Sequence, residues 1–285
     1  MSVPKHLDLG QYVVPATVKA PSGELAALVG TPPAGVAERR AVLAVPGYTG
    51  SKEDFIHLLP LIAAAGHPVT AIDLRGQHES GGPEDVEAYT LAALAADVVA
   101  LADAAPEPVH LIGHSVGGLI SRDAVLAGAR VRTLTLLASG PGALGGTRGA
   151  LIELMRPLLA DGGVPAVFEA SQAIDAADPA KAAQPAEVTE FLRRRFLASP
   201  DAALLGLGTA ATTAADRVEE LRAWGMAVLV AYGELDDAWS PDEQHDMAVR
   251  LGAREHRFPD LGHSPAVDDP ESVAAVLEDF WSVHP

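Results

Sequence analysis

The first 45 residues read as β-structure. Residues 13–14 and 16–19 form one expected strand, and 25–29 its partner after the turn Pro21-Ser22-Gly23. Residues 31–40 are polar and proline-rich, which predicts a loop. From residue 41 onward, short continuous apolar runs take over, at 41–45, 68–72, 109–112, 134–137 and 227–231, with a shorter one at 256–258. Strands that are apolar on both faces belong to the interior of a parallel sheet. Helical patterns lie between them, at 54–65, 90–104, 116–126, 216–224 and 271–280. This alternation predicts an α/β protein with a mostly parallel, doubly wound sheet. One stretch interrupts it. Residues 143–213 show no strand-like run and carry four helical patterns, at 151–159, 166–174, 188–197 and 202–207. That is too long for a linker, so a helical cap inserted into a core of 1–142 and 214–285 is expected.

Val109-His110-Leu111-Ile112-Gly113-His114-Ser115-Val116-Gly117-Gly118-Leu119 carries the chemistry. A strand runs into Gly-x-Ser-x-Gly and then into a helix. A serine on so tight a turn needs a strained backbone, and glycines two residues to either side leave it room. Ser115 is therefore the candidate nucleophile, and the Val116 N–H, at the start of a helix, is a candidate oxyanion donor. His114 is read as a packing or orienting residue. A serine hydroxyl needs a base, and the base needs orienting. Leu261-Gly262-His263-Ser264-Pro265 is an exposed turn after the last strand, which makes His263 the candidate base. His245 sits in a helical pattern, His256 on a strand and His284 near the terminus. The acid should follow the strand that ends at Tyr232-Gly233, where Asp236 is favoured over Asp237.

These motifs together resemble the α/β-hydrolase superfamily, in the branch with a helical cap after the sixth strand. Gly113-His114-Ser115-Val116-Gly117, Gly233-Glu234-Leu235-Asp236 and Gly262-His263 carry the resemblance, which spans nearly the whole chain. It implies a carboxylate three residues past the glycine, hence Asp236. It also implies a second oxyanion donor in Val45-Pro46-Gly47-Tyr48-Thr49, the backbone N–H of Tyr48. Many members carry a histidine where this chain has Pro46. Asp73-Leu74-Arg75-Gly76-Gln77-His78-Glu79-Ser80-Gly81 resembles the family's Asp-x-x-Gly-x-Gly-x-Ser turn, with His78 at the second glycine position, and is expected to hold loops near the site. Haloalkane dehalogenases and epoxide hydrolases of this fold use aspartate at the elbow, so Ser115 argues against both. The expectation is a carboxylesterase-like serine hydrolase acting on a small acyl substrate, with neither cofactor nor metal. Thioesters, lactones, amides and C–C bonds stay open as substrates. Acyl transfer and a non-turnover receptor remain the alternatives. Met155, Phe168 and Phe191 are apolar candidates for an acyl pocket in the cap.

Composition narrows the partners. A length of 285 residues suits one large α/β domain with an insert. Lys plus Arg is 20 and Asp plus Glu is 38, a net charge of −18, which disfavours nucleic acid and anionic lipid. There is no cysteine, which excludes disulfides, zinc–thiolate sites and thiol nucleophiles. The histidines are scattered and form no metal-binding pair with a carboxylate. The N-terminal residues lack an apolar signal core, and no run reaches the ~18 apolar residues of a membrane span. A soluble cytoplasmic protein is the expectation, of open oligomeric state. Arg193-Arg194-Arg195, the one basic run, is read as a solvated helix face.

Overall fold

The computed structural model describes residues 2–175 and 184–285. Met1 and residues 176–183, the latter inside the expected cap, lie outside the described residues. Strands β1 (Val13–Ala20) and β2 (Gly23–Gly30) form the predicted hairpin, with Val13 opposite Gly30 and Ala20 opposite Gly23. The apolar runs become β3 (Val42–Val45), β4 (Val69–Ile72), β5 (Val109–His114), β6 (Val131–Leu137), β7 (Ala227–Gly233) and β8 (Arg254–Phe258). One eight-stranded sheet results, in the order β1-β2-β4-β3-β5-β6-β7-β8. β2 pairs antiparallel with β4, and every pairing from β4 to β8 is parallel. After β3 the chain steps outward to β4, then crosses back to lay β5 on the other side of β3. The order reverses there, and in open α/β sheets ligands bind at the carboxyl ends of the strands that flank such a reversal.

Burial explains why the central strands read as apolar throughout. Leu43, Val45, Leu111, Leu134, Val228 and Val230 pack on one face, against helices α2 (Leu91–Ala104), α3 (Val116–Leu126) and α7 (Val218–Trp224). Val42, Ala44, Ile112, Leu137, Leu229 and Ala231 pack on the other, against α1 (Leu59–Ala64) and α10 (Pro270–Ser282). Each residue in turn has a layer of helix to bury it.

Some boundaries differ from the sequence pattern. The helix expected at 54–65 is a 3-10 turn, Lys52–Phe55, followed by α1. Pro60 sits in the first turn of α1 and has no N–H to carry the ladder back toward residue 54, so the helix starts there. In the cap, α4 (Gly146–Asp175) comprises the two helices expected at 151–159 and 166–174, separated as expected by a non-helical break at Gly163, with φ 66° and ψ −170°. Two further cap helices follow, α5 (Ala186–Leu197) and α6 (Asp201–Thr213). Helix α8 (Pro241–Leu251) carries His245 and starts with a capping box between Ser240 and Glu243. A one-turn helix, α9 (Pro265–Asp268), precedes α10. Among the described residues no helix is long and apolar enough to cross a membrane.

Helix α3 approaches the end of β3 very closely. A Cβ on Gly117 would strike the carbonyl oxygens of Val45 and Pro46, both backbone atoms that cannot swing away. Gly117→Ala is therefore expected to cost about 2 kcal/mol or more in urea unfolding. Gly145→Ala, where a Cβ meets nothing within 4 Å, should change stability by less than about 0.5 kcal/mol. Equal effects at the two positions would contradict the close approach.

Candidate functional site

Ser115 stands at the junction of β5 and α3 with φ 57° and ψ −126°, a region that non-glycine residues rarely occupy. The flanking glycines make the bend feasible. A Cβ on Gly113 would meet the Gly117 carbonyl oxygen and, at 2.6 Å, the Gly118 Cα. The bend lifts the Ser115 hydroxyl above the carboxyl edge of the sheet, where His263 meets it. His263 Nε2 lies 2.9 Å from Ser115 Oγ, and Nδ1 lies 2.8 Å from Asp236 Oδ1. Asp236 is buried, and two further groups donate to its carboxylate: the Ala238 N–H to Oδ1 at 2.9 Å and Gln244 Nε2 to Oδ2 at 2.9 Å. With donors on every side, Asp236 accepts from His263 Nδ1–H. That leaves the Nε2 lone pair for the serine O–H.

Asp237, the alternative acid, turns away. Its Oδ1 pairs with Arg148 of the cap at 2.6 Å. Two loop contacts fix the choice. The Leu235 N–H donates to Leu261 O at 2.8 Å, and the Glu234 N–H donates to Phe258 O at 3.0 Å. Gly233 packs so closely on the carbonyls of Leu261 and Gly262 that only glycine fits. The acid loop and the histidine loop are thereby joined.

His114 bears on the same geometry, as an orienting residue. Its Nε2–H donates to the His263 backbone carbonyl at 2.8 Å. Burial, aided by the nearby His263, pushes its pKa down to about 3, so it is neutral at pH 7. No second positive charge then stands beside His263.

On the other side of Ser115, a Cβ on Gly47 would lie 2.7 Å from Ser115 Cβ, so the loop after β3 touches the serine. The Tyr48 N–H donates to no described residue, and the Val116 N–H is the first of α3, without a helical acceptor. The expected pair of oxyanion donors is thus brought to one side of Ser115. The turn after β4 holds this loop, in the role expected of it. Gln77 Nε2 donates to Gly47 O at 2.7 Å, and Lys52 Nζ reaches buried Asp73 at 2.9 Å. His78 keeps the left-handed conformation of the glycine it stands for, at φ 42°.

A cavity of about 360 Å³ opens over Ser115 and His263. Ile152, Met155, Val167 and Phe196 of the cap give it an apolar roof, and Tyr48 lines one wall. Of the three apolar candidates, only Met155 lines it. Phe168 packs inside the cap against Phe196, and Phe191 is buried beside Val188 and Leu192. A larger cavity, of about 640 Å³, opens near Arg40, His67 and Trp281, against His110 of β5 and the loops before β3 and β4. It is lined by no residue of the Ser115 constellation, so the smaller cavity is the candidate site.

Two readings of charge need revision. Arg195 is not on a solvated face. It is 1% exposed and donates to Asp54 Oδ1 at 2.8 Å and to Ser2 O at 2.7 Å. Its neighbours on α5, Arg193 and Arg194, do face solvent. Among the described residues, one cluster has metal-ligand spacing: Glu53, His78 and Glu79. Lys52 Nζ already occupies the space between its carboxylates, at 2.9 Å from Glu53 and 2.8 Å from Glu79. Gln244, Gln77 and Lys52 support the site and carry no motif of their own in the sequence.

The comparisons decide the family. A family profile described as the alpha/beta hydrolase family matches residues 42–276. The chain belongs to that family. It is 39% identical over 105 residues to a protein described as carbamate hydrolase RutD of Variovorax paradoxus (strain S110), covering 36% of this chain and 39% of that protein. It is 35% identical over 86 residues to epoxide hydrolase A of Mycobacterium tuberculosis, covering 30% of this chain and 27% of that protein. The matches span less than half of either relative. A thermophilic esterase from Thermogutta terrifontis superposes with a TM-score of 0.72 at 21% identity, over 95% of this chain and all of that one. That last likeness shows the fold alone.

The buried, neutral state of His114 gives a test of the loop packing. An unfolded histidine gains a proton below pH ~6.5, whereas folded His114 resists it down to about 3. Its contribution to stability is therefore present above ~6.5 and is lost as pH falls. Between pH 7.5 and 5.5 the loss should be about 1.4 kcal/mol. Urea unfolding of the wild type should show that extra slope relative to His114→Asn. Parallel pH profiles would contradict it.

Proposed function

We propose that the protein is a serine hydrolase that cleaves a carboxylic ester or a related acyl substrate through an acyl-enzyme on Ser115. The observation that carries this reading is the unbroken chain Ser115 Oγ–His263 Nε2 and His263 Nδ1–Asp236 Oδ1, at 2.9 and 2.8 Å. Ser115 Oγ attacks the substrate carbonyl carbon while His263 Nε2 takes its proton. Asp236 holds the ring and stabilises its cationic form. The oxygen that becomes negative turns toward the N–H groups of Tyr48 and Val116. The C–O bond breaks, and the leaving alcohol takes the proton from Nε2. Water then attacks the acyl carbon, gives a proton to Nε2 and releases the acid, restoring Ser115. No step calls on a cofactor or a metal.

The serine at the elbow distinguishes this reading from the chemistry named for the epoxide hydrolase relative. An epoxide is opened at a saturated carbon, and the ester so formed must lie on a carboxylate. This chain offers a hydroxyl there. The apolar cavity of about 360 Å³ fits a small acyl group. The helices of residues 143–213 serve as its lid, tied to the core by Arg148–Asp237 at the mouth.

A fluorophosphonate should label the protein at Ser115, and Ser115→Ala should lose the label and lower kcat for p-nitrophenyl esters by about 10⁴-fold or more. Asp236→Asn should lower kcat by about 10³–10⁴-fold, because the ring then loses its orienting acceptor. Asp237→Asn should cost at least about 100-fold less than Asp236→Asn. Undiminished turnover in Ser115→Ala, or equal losses at 236 and 237, would overturn these assignments.

A further inference from the structure

One buried carboxylate in the cavity has no part in the reaction scheme. Asp54, in the turn Lys52–Phe55, is 3% exposed and lines the cavity together with Ser115, His263 and Ser2. Its two oxygens are unlike. Oδ1 accepts from Arg195 Nη1 at 2.8 Å. Oδ2 accepts from no described residue and lies against Gly50, at the end of the loop whose Gly47 touches Ser115. A Cβ at residue 50 would collide with that oxygen, so only glycine lets the loop pack this closely on it. Arg195 is itself committed, to Ser51 Oγ at 3.3 Å and to Ser2 O at 2.7 Å, and it holds the carboxylate in one orientation. A carboxylate oxygen this deeply buried is costly to leave without a hydrogen-bond donor.

We propose that Asp54 is a substrate-binding residue whose Oδ2 accepts a hydrogen bond from a hydroxyl or uncharged N–H of the substrate, so that hydroxylated esters are preferred over plain alkyl esters. This rests on the hydrolase reading of the same site and goes beyond it by naming the substrate class. The donor is uncharged because Arg195 already balances the Asp54 charge. A substrate ammonium would bring an excess buried positive charge beside that guanidinium. Burial pushes the Asp54 carboxyl up, and the Arg195 guanidinium opposes that shift. Polar groups set in an otherwise apolar pocket discriminate strongly, because the analogue that lacks the donor leaves the acceptor unpaired.

The test compares kcat/KM of the full chain for p-nitrophenyl esters of short straight-chain acids and of their hydroxylated counterparts. At least one hydroxylated ester should exceed its plain partner by about tenfold or more, through a lower KM. Asp54→Asn keeps the shape and an oxygen for Arg195, and turns an N–H₂ toward the cavity in place of the acceptor. In that variant the ratio should fall to about one or below. A purely structural ion pair between cap and core would lower both esters alike and leave the ratio unchanged, and that result overturns the proposal. Should the variant fail to fold, inhibition of the wild type by alkanols and by diols of the same length decides the matter: equal inhibition contradicts it. Turnover of every ester without preference defeats the Asp54 assignment alone. Turnover of none, with no phosphonate label on Ser115, defeats the hydrolase reading as well.

Discussion

The site depends on one backbone constraint, the packing of the β5–α3 bend against the loop after β3. Ser115 holds a left-handed conformation that its own side chain disfavours. The bend is kept in place because Gly113, Gly117 and Gly47 let backbone meet backbone with no room for a Cβ. The serine N–H donates to Leu137 O at 2.9 Å, which also ties the bend to β6. Loosening any of these contacts would let Ser115 relax toward an ordinary helix start. Its hydroxyl would then leave the imidazole. The strain and the proposed chemistry are two aspects of one arrangement.

Around that bend, polar contacts are spent on holding loops. Gln77 and the Lys52–Asp73 pair hold the Gly47 loop, Gln244 holds Asp236, and His114 holds the backbone of His263. Each is buried, so each contact is protected from competing water. A hydrogen-bond relay needs its atoms fixed to a few tenths of an ångström, and loops alone do not supply that.

Much of this was legible in the sequence, for a physical reason. Strands covered on both faces must be apolar at every position, and the bend must have glycines at fixed spacing. The five parallel strands β3 to β7 and the Gly-x-Ser-x-Gly turn therefore announce themselves, whereas the edge strand β8 is mostly polar. The resemblance favoured Asp236 over Asp237, and Asp236 is the one whose carboxylate meets His263, through a contact between loops far apart in the chain. Helix ends were less legible. Pro60 delays α1, so the helix expected from residue 54 starts only at Leu59. Arg195 was misread because its neighbours are solvated and its partners, Asp54 and Ser2, are more than a hundred residues away. Gln77 lies within the turn after β4 that was expected to hold loops, but Gln244 bears no local mark, since a glutamine that supports a loop looks like any surface glutamine.

The account turns on which atom takes up the acyl group. Rapid-quench mass spectrometry with p-nitrophenyl acetate, followed by peptide mapping, tests it most directly. The account predicts one acetyl group on the peptide carrying Ser115, with His263→Ala slowing both its formation and its loss. An adduct on a carboxylate such as Asp236, or turnover with no adduct and no loss in Ser115→Ala, would contradict it.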